Sequence, residues 1–170
     1  MKLKHFLVFL VLLPFMATAQ KDTSTLTKIG DPVPAFSFEI EKGKTVQIAD
    51  YKGKLILINL FATWCPPCNA ELPLVQKQIW DKYSTNPNFA FFVFGREEGW
   101  KKLIPYKEQK GFTFPILPDA DRSIFKKFAT QLIPRNILVD ESGKIIYQSI
   151  GYTPGEFAAL VKLIDKHLSK

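Results

Sequence analysis

From residue 34 onward the apolar positions change their period repeatedly, and the changes lay out alternating strands and helices. Residues 36–40 and 45–48 flank a polar 41–44 that contains Gly43, which predicts a short β-hairpin. Residues 55–61, Leu-Ile-Leu-Ile-Asn-Leu-Phe, are almost unbroken apolar, as suits a strand buried on both faces. Residues 66–82 turn to helical spacing, with Leu72, Val75 and Ile79 on one side. Pro73 falls inside that pattern, where its missing N–H removes the bond to Asn69 and predicts a kink. Residues 89–94 predict a second buried strand and 98–110 a helix stopped by Gly111. A short strand over 114–117 and a short helix over 123–128 come next. Residues 136–139 and 144–149 read as a hairpin around Asp140-Glu141-Ser142-Gly143. The last helix has the clearest start: Thr153 caps it, Pro154 takes the first position and Glu156 completes a capping box. Phe157, Leu160, Val161, Ile164 and Leu168 then recur at helical spacing. This order predicts a three-layer α/β/α sandwich on a mixed central sheet.

A length of 170 residues, 46% of them hydrophobic, suits one domain with one sizeable core, and fifteen Phe predict heavy aromatic packing. The first twenty residues follow another plan. A basic start leads into an apolar run over 6–16 and then Ala17-Thr18-Ala19, the layout of a secretory signal cleaved after Ala19. The run is about half the ~20 residues that a spanning helix needs, so no membrane anchor is expected. No cysteine follows it, so no lipid attachment is expected either. The expected division is a signal peptide over 1–19, a polar flexible lead over 20–31 and one domain over 32–170. Loss of Lys2 and Lys4 takes the net charge from +7 to roughly +5. The remaining lysines are scattered without a basic block, so no nucleic-acid partner is expected. The mature chain is thus expected beyond the inner membrane, in the periplasm of a Gram-negative host, where disulfides persist.

Both cysteines fall in one stretch, residues 61–73, which reads FATWCPPCNAELP between the first buried strand and the first long helix. That position puts Cys65 at an exposed helix N-terminus, where backbone N–H groups and the helix dipole favour a thiolate. Cys68 lies one turn on, near enough to close a ring with it. Pro66 and Pro67 bring no N–H, which points to a moderately lowered thiol pKa and a more reducing couple than a pair containing His. Two other uses of the cysteines compete. A structural disulfide across so short a loop removes little unfolded-state entropy. A zinc site normally takes four ligands, and the mature chain adds only the distant His167. Redox exchange fits best, with no metal or cofactor.

Trp64-Cys65-Pro66-Pro67-Cys68 after a buried strand resembles a thioredoxin-fold active site. With the exported start, the N-terminal hairpin, Glu71, Pro73 and a proline before a later strand, Pro134, the chain from Ile29 onward resembles the TlpA/ResA-like group of exported thiol–disulfide oxidoreductases in the AhpC/TSA–thioredoxin superfamily. The resemblance implies a thioredoxin fold with an N-terminal β-hairpin and an additional helix/strand insertion. It implies catalysis by Cys65 and Cys68, and a cis bond at Pro134, facing the cysteines. Ile133 would then pair with an extended substrate, with Trp64, Pro66 and Pro67 completing the contact surface. It implies disulfide-containing envelope proteins as partners, a membrane-bound electron donor, and a role like that in cytochrome c maturation. Glu71 has two readings: a solvated helix residue, which the bare sequence favours, or a proton acceptor for Cys68, which the resemblance favours. Asn59 stands where thioredoxin carries a buried aspartate, and an amide takes up no proton. Arg135 and Asn136 depart from the Thr-containing pattern more common in the family; Arg135 either meets an acidic substrate or packs along the surface. Trp64 either covers the active site and touches partners or fills the core; Trp100, Phe112 and Phe114 are expected mainly in the core, with Trp100 the lesser candidate for a partner surface. An oxidant or isomerase of the same fold, and a redox-inert binding module, remain as alternatives. Peroxidase action fits poorly, since Thr63 lies two residues before Cys65 rather than three.

Overall fold

The computed structural model describes residues 22–169, so the signal peptide expected over 1–19 lies outside the described residues. Strands β1 (Ser37–Glu41) and β2 (Lys44–Gln47) form the predicted hairpin. β3 (Leu55–Phe61), β4 (Phe89–Arg96), β5 (Ile116–Asp119), β6 (Arg135–Val139) and β7 (Ile145–Ile150) form one mixed sheet in the order β5-β4-β3-β6-β7. β3 runs parallel to β4 and β4 to β5, while β6 is antiparallel to β3 and β7 to β6. All seven residues of β3 are buried, because it lies at the middle of the sheet and both its faces are covered.

The two-residue period of β3 sorts the core into two layers. Leu55, Leu57 and Phe61 face α1 (Pro66–Val75), α3 (Trp100–Lys110) and α5 (Pro154–Leu168), meeting Leu72, Leu103, Phe157 and Leu160. Ile56, Ile58 and Leu60 face the hairpin, a 3-10 turn over Ile48–Tyr51 and the short α4 (Phe125–Phe128). The second cover is therefore partly hairpin rather than helix. Phenylalanines fill both layers: Phe38 packs 4.9 Å from Phe92 on one face, and Phe112 stacks 4.8 Å from Phe114 on the other. Trp100 is half-buried against the hairpin side and its ring N–H donates to Glu39, so it belongs to the packing.

Residues 66–83 are helical throughout. α1 carries Pro73 inside it, the chain then widens to π-type bonding over Gln76–Trp80, and it closes with α2 (Asp81–Tyr83). The irregularity expected from Pro73 is thus a loosened turn just downstream of it. α3 begins at Trp100 rather than at 98, because Glu98 is drawn inward to Thr63. It ends as expected at Gly111, whose φ of 67° suits glycine. β5 sits two residues later than predicted, where it pairs with the C-terminal half of β4. α4 is shorter than predicted, and the Asp119 carboxylate accepts the N–H groups of Ile124 and Phe125 at its start. The stretch between β4 and β6, α3-β5-α4, holds the expected additional helix and strand beside the fold's own crossover helix.

The described part of the expected flexible lead is instead fastened to the domain. Thr25 bridges to Ala129, Leu26 N–H donates to the Phe128 carbonyl at 2.9 Å, and Gly30 and Asp31 bond to Ile145. The sequence offered no apolar period there, and the attachment runs through backbone groups and buried hydroxyls.

Thr153 Oγ1 accepts the Glu156 N–H at 3.2 Å, as its capping role requires. Thr153→Ala is expected to cost ~1 kcal/mol. A melting curve would show this as a Tm lower by about 2–4 °C, with disulfide exchange unchanged.

Candidate functional site

The site forms at the C-terminal end of β3, where the chain leaves the sheet and enters α1. Cys65 is the N-cap of α1, with φ −84° and ψ 111°, and its Sγ accepts the Cys68 N–H at 3.3 Å. Cys65 and Cys68 are joined in a disulfide, with Cα atoms 5.3 Å apart. Pro66 and Pro67 occupy the first turn without N–H groups, so the Cys68 amide is what that turn offers the sulfur. The structure corrects one expectation: Cys65 is only 2% exposed, and Cys68 is fully buried. The loop before β6 accounts for this, since the Ile133 carbonyl oxygen lies 3.9 Å from Cys65 Sγ. The Ile133–Pro134 peptide is cis, as expected. Around the sunken pair, Trp64 is 59% exposed, Pro66 and Pro67 are exposed, and Leu132, with φ 68°, is 52% exposed.

Three side chains that the sequence did not single out hold the cysteine loop. Glu98 is buried; its carboxylate accepts the Thr63 N–H at 3.0 Å and the Thr63 hydroxyl at 2.8 Å, and Lys102 Nζ lies 2.5 Å away. Asn69 Nδ2 donates to the carbonyls of Thr63 and Cys65, both at 2.9 Å, and its Oδ1 accepts from Tyr106 Oη at 3.0 Å. The Arg96 guanidinium lies over the Trp64 ring, 5.6 Å from its centroid. The cysteine loop is thus tied to the β4–α3 turn and to α3 as well as to its own helix.

Glu71 is the centre of a buried polar cluster, and the solvated reading of it is overturned: it is 1% exposed. Asn59 Nδ2 donates to Oε2 at 3.0 Å and Asn136 Nδ2 to Oε1 at 2.6 Å; Asn59 Nδ2 also reaches Asn136 Oδ1 at 2.8 Å. Burial pushes the carboxyl up to about 7, with the two amide donors pulling the other way. The group therefore sits near the midpoint of its titration at neutral pH. Asn136 was not foreseen as its partner, because that contact depends on the register of β3 with β6, where Asn59 faces Asn136.

Both readings of Arg135 are corrected too. It is 3% exposed and meets neither solvent nor a ligand surface. Its guanidinium donates to the carbonyls of Gln131 and Leu132 and to the hydroxyls of Ser24 and Thr25. Trp64, Pro66 and Pro67 adjoin the cysteines along the chain, and the Ile133 carbonyl, just before the buried Pro134, reaches Cys65.

Comparison with known proteins bears on the family and the fold. The Redoxin family model matches residues 28–164. The thiol-disulfide oxidoreductase ResA of Bacillus thuringiensis (strain Al Hakam) is 28% identical over 124 residues, covering 73% of this chain and 70% of that protein. A solution structure from Bacteroides thetaiotaomicron, provisionally described as a protein disulfide isomerase, is 33% identical. It superposes with a TM-score of 0.82 over 86% of this chain and 94% of its own. StoA from Bacillus subtilis, at 23% identity and TM-score 0.63 over 78% of this chain and 97% of its own, shares the fold.

Proposed function

We propose, from the premise that this chain belongs to the Redoxin family, that it is a ResA-like thiol–disulfide oxidoreductase working as an exported reductant of protein disulfides. The observation that carries the exchange chemistry is the Cys65–Cys68 pair at the start of α1, backed by a buried Glu71 one turn beyond Cys68. In the reduced protein, Cys65 attacks a substrate disulfide as its thiolate, forming a mixed disulfide and expelling one substrate thiolate. Cys68 then gives its proton to Glu71 and attacks Cys65 Sγ. This closes the Cys65–Cys68 bond and releases the second substrate thiolate. Two electrons pass from the dithiol to the substrate, and a dithiol donor must return them.

Trp64, Pro66, Pro67 and Ile133 form the contact surface, with the cis Pro134 buried behind it fixing the turn of the Ile133 backbone. The Ile133 backbone pairs with an extended substrate segment beside Cys65. Disulfide-bearing envelope proteins fit this surface, apocytochromes c among them. Export is supported by the basic start, the apolar run over 6–16 and Ala17-Thr18-Ala19. Beyond the cytoplasm no thiol pool re-reduces the pair, so a membrane-bound donor supplies the electrons. Among the described residues no helix is long and apolar enough to cross a membrane.

The reduction potential tests the direction. The first turn gives Cys65 a single amide donor and no histidine, so equilibration with dithiothreitol or glutathione buffers is expected to give a value near thioredoxin's, about −270 mV, far from about −120 mV for the oxidant DsbA. The isomerase reading draws on the Bacteroides relative and expects about −180 mV. A value at or above that would replace reduction with isomerisation or oxidation.

A further inference from the structure

The loop that faces Cys65 is fastened from outside the sheet. Residues 129–134 run from Ala129 to the cis Pro134 and carry the Ile133 carbonyl to 3.9 Å from Cys65 Sγ. Two sets of bonds hold this loop. One is backbone: Leu26 N–H donates to Phe128, Thr130 N–H to Ser24, and Thr25 bridges to Ala129. The other is the Arg135 guanidinium, which contacts both segments at once. It donates to the Gln131 carbonyl at 2.9 Å and the Leu132 carbonyl at 3.0 Å, and to Ser24 Oγ at 2.6 Å and Thr25 Oγ1 at 2.9 Å. Asp22 in turn accepts from the Ser24 N–H and both hydroxyls. Those bonds hold the Asp22 carboxyl at about 2, so its charge stands opposite the buried cation. The guanidinium is out of water and, among the described residues, touches no carboxylate directly; its donors are spread over four oxygens from two stretches of chain. Lysine cannot reproduce that planar fork.

We propose that Asp22–Thr25 and Arg135 act together as a positioning device for the substrate-pairing loop, setting how well an extended peptide seats beside Cys65. Arg135 works through the Gln131 and Leu132 carbonyls, and the N-terminal hydroxyls hold the guanidinium in place. The device acts on the loop that receives the peptide, and none of its own bonds reaches Cys65, Cys68 or Glu71. The inference rests on the reading of the site given above.

The test pairs two substrates with two variants. Insulin presents extended peptide around its disulfides; 5,5′-dithiobis(2-nitrobenzoate) presents a bare disulfide. For Ser24→Ala/Thr25→Val and for Arg135→Lys, the KM for insulin is expected to rise about tenfold or more with kcat little changed. The double variant, whose sites lie outside the catalytic groups, is expected to react with the small disulfide within about threefold of wild type. Equal losses on both substrates, or an unchanged KM for insulin, would overturn the proposal. Hydrogen exchange gives a reading independent of activity. The Thr130 amide, bonded to the Ser24 carbonyl, and the Leu26 amide, bonded to the Phe128 carbonyl, are expected to exchange about tenfold faster in the double variant, with β3 and β4 unaltered. Unchanged exchange in the loop would also overturn it. A wild type that reduces neither substrate would instead refute the oxidoreductant reading, and the exchange result would still decide the role of the N-terminal segment.

Discussion

Cys65→Ser is expected to abolish insulin reduction, and Cys68→Ser to stop it after a single covalent step. The two sulfurs are not equivalent. Cys65 caps α1 and receives an N–H from Cys68, so its thiolate is the stabilised one. Cys68 is fully buried and reaches a substrate only through Cys65. Without Cys65 no attacking thiolate remains, and turnover should fall by about a thousandfold or more, to the uncatalysed background. Without Cys68 the attack still occurs but nothing resolves the product. Substrate proteins should accumulate as mixed disulfides on Cys65, visible on non-reducing gels and released by dithiothreitol. A Cys68→Ser protein that turns over normally would refute the order of steps. A Cys65→Ser protein that traps partners through Cys68 would exchange the two roles.

The second large effect belongs to Glu71. Glu71→Gln should leave the first attack near its wild-type rate and slow resolution by roughly 10²–10⁴-fold, the usual worth of a positioned proton acceptor. In the wild type, resolution should quicken as pH rises through about 7 and the carboxylate becomes available; the glutamine variant should lack that limb. Stopped-flow fluorescence from Trp64, adjacent to Cys65, separates the two steps. Stability gives a second reading of opposite sign. The folded carboxyl titrates near 7 instead of its ordinary 4.5, so its protonated form favours the fold. That contribution is complete below pH 4.5 and is lost as pH rises through 7, by about 3 kcal/mol if the whole shift is expressed. Urea unfolding of the oxidised protein at pH 5 and pH 8 should show the loss in wild type and a much flatter response in Glu71→Gln. Identical pH responses for both proteins, in rate and in stability, would return Glu71 to a packing role.

Much of this was readable along the chain, for reasons that can be given position by position. The β3 run, the proline-flanked cysteines and the Thr153-Pro154 start are local signals, and each appears where expected, although the Glu156 carboxylate takes the Thr153 hydroxyl rather than the N–H that a capping box would use. Glu71 was readable as a residue on the right helix. Its burial was not, since that depends on Asn59 and Asn136 arriving from two strands 77 residues apart. Arg135 misled because a lone arginine after a proline reads as surface. Its partners Ser24 and Thr25 lie more than a hundred residues away, in a stretch without apolar period. Glu98 was absorbed into a predicted helix, although it faces the cysteine loop. What escaped in each case was a polar contact between distant segments, which no periodicity encodes.

The Asn59–Asn136 pair also acts on how the chain finds its sheet. The two residues stand directly opposite each other at the junction of β3 and β6, flanked by Ile58 against Ile137 and Leu60 against Arg135. A strand made almost wholly of aliphatic side chains has little to tell one alignment from the next, because neighbouring offsets bury similar oil. A slip of one residue would turn Asn136 to the opposite face and leave Asn59 and Glu71 buried without it, at about 1–3 kcal/mol for each polar group left unpaired. The amides thus index the central antiparallel pair. Substitutions that retune the acid's proton affinity through Asn59 or Asn136 would loosen the alignment of the sheet as well, so the chemistry and the fidelity of assembly are constrained at the same two positions.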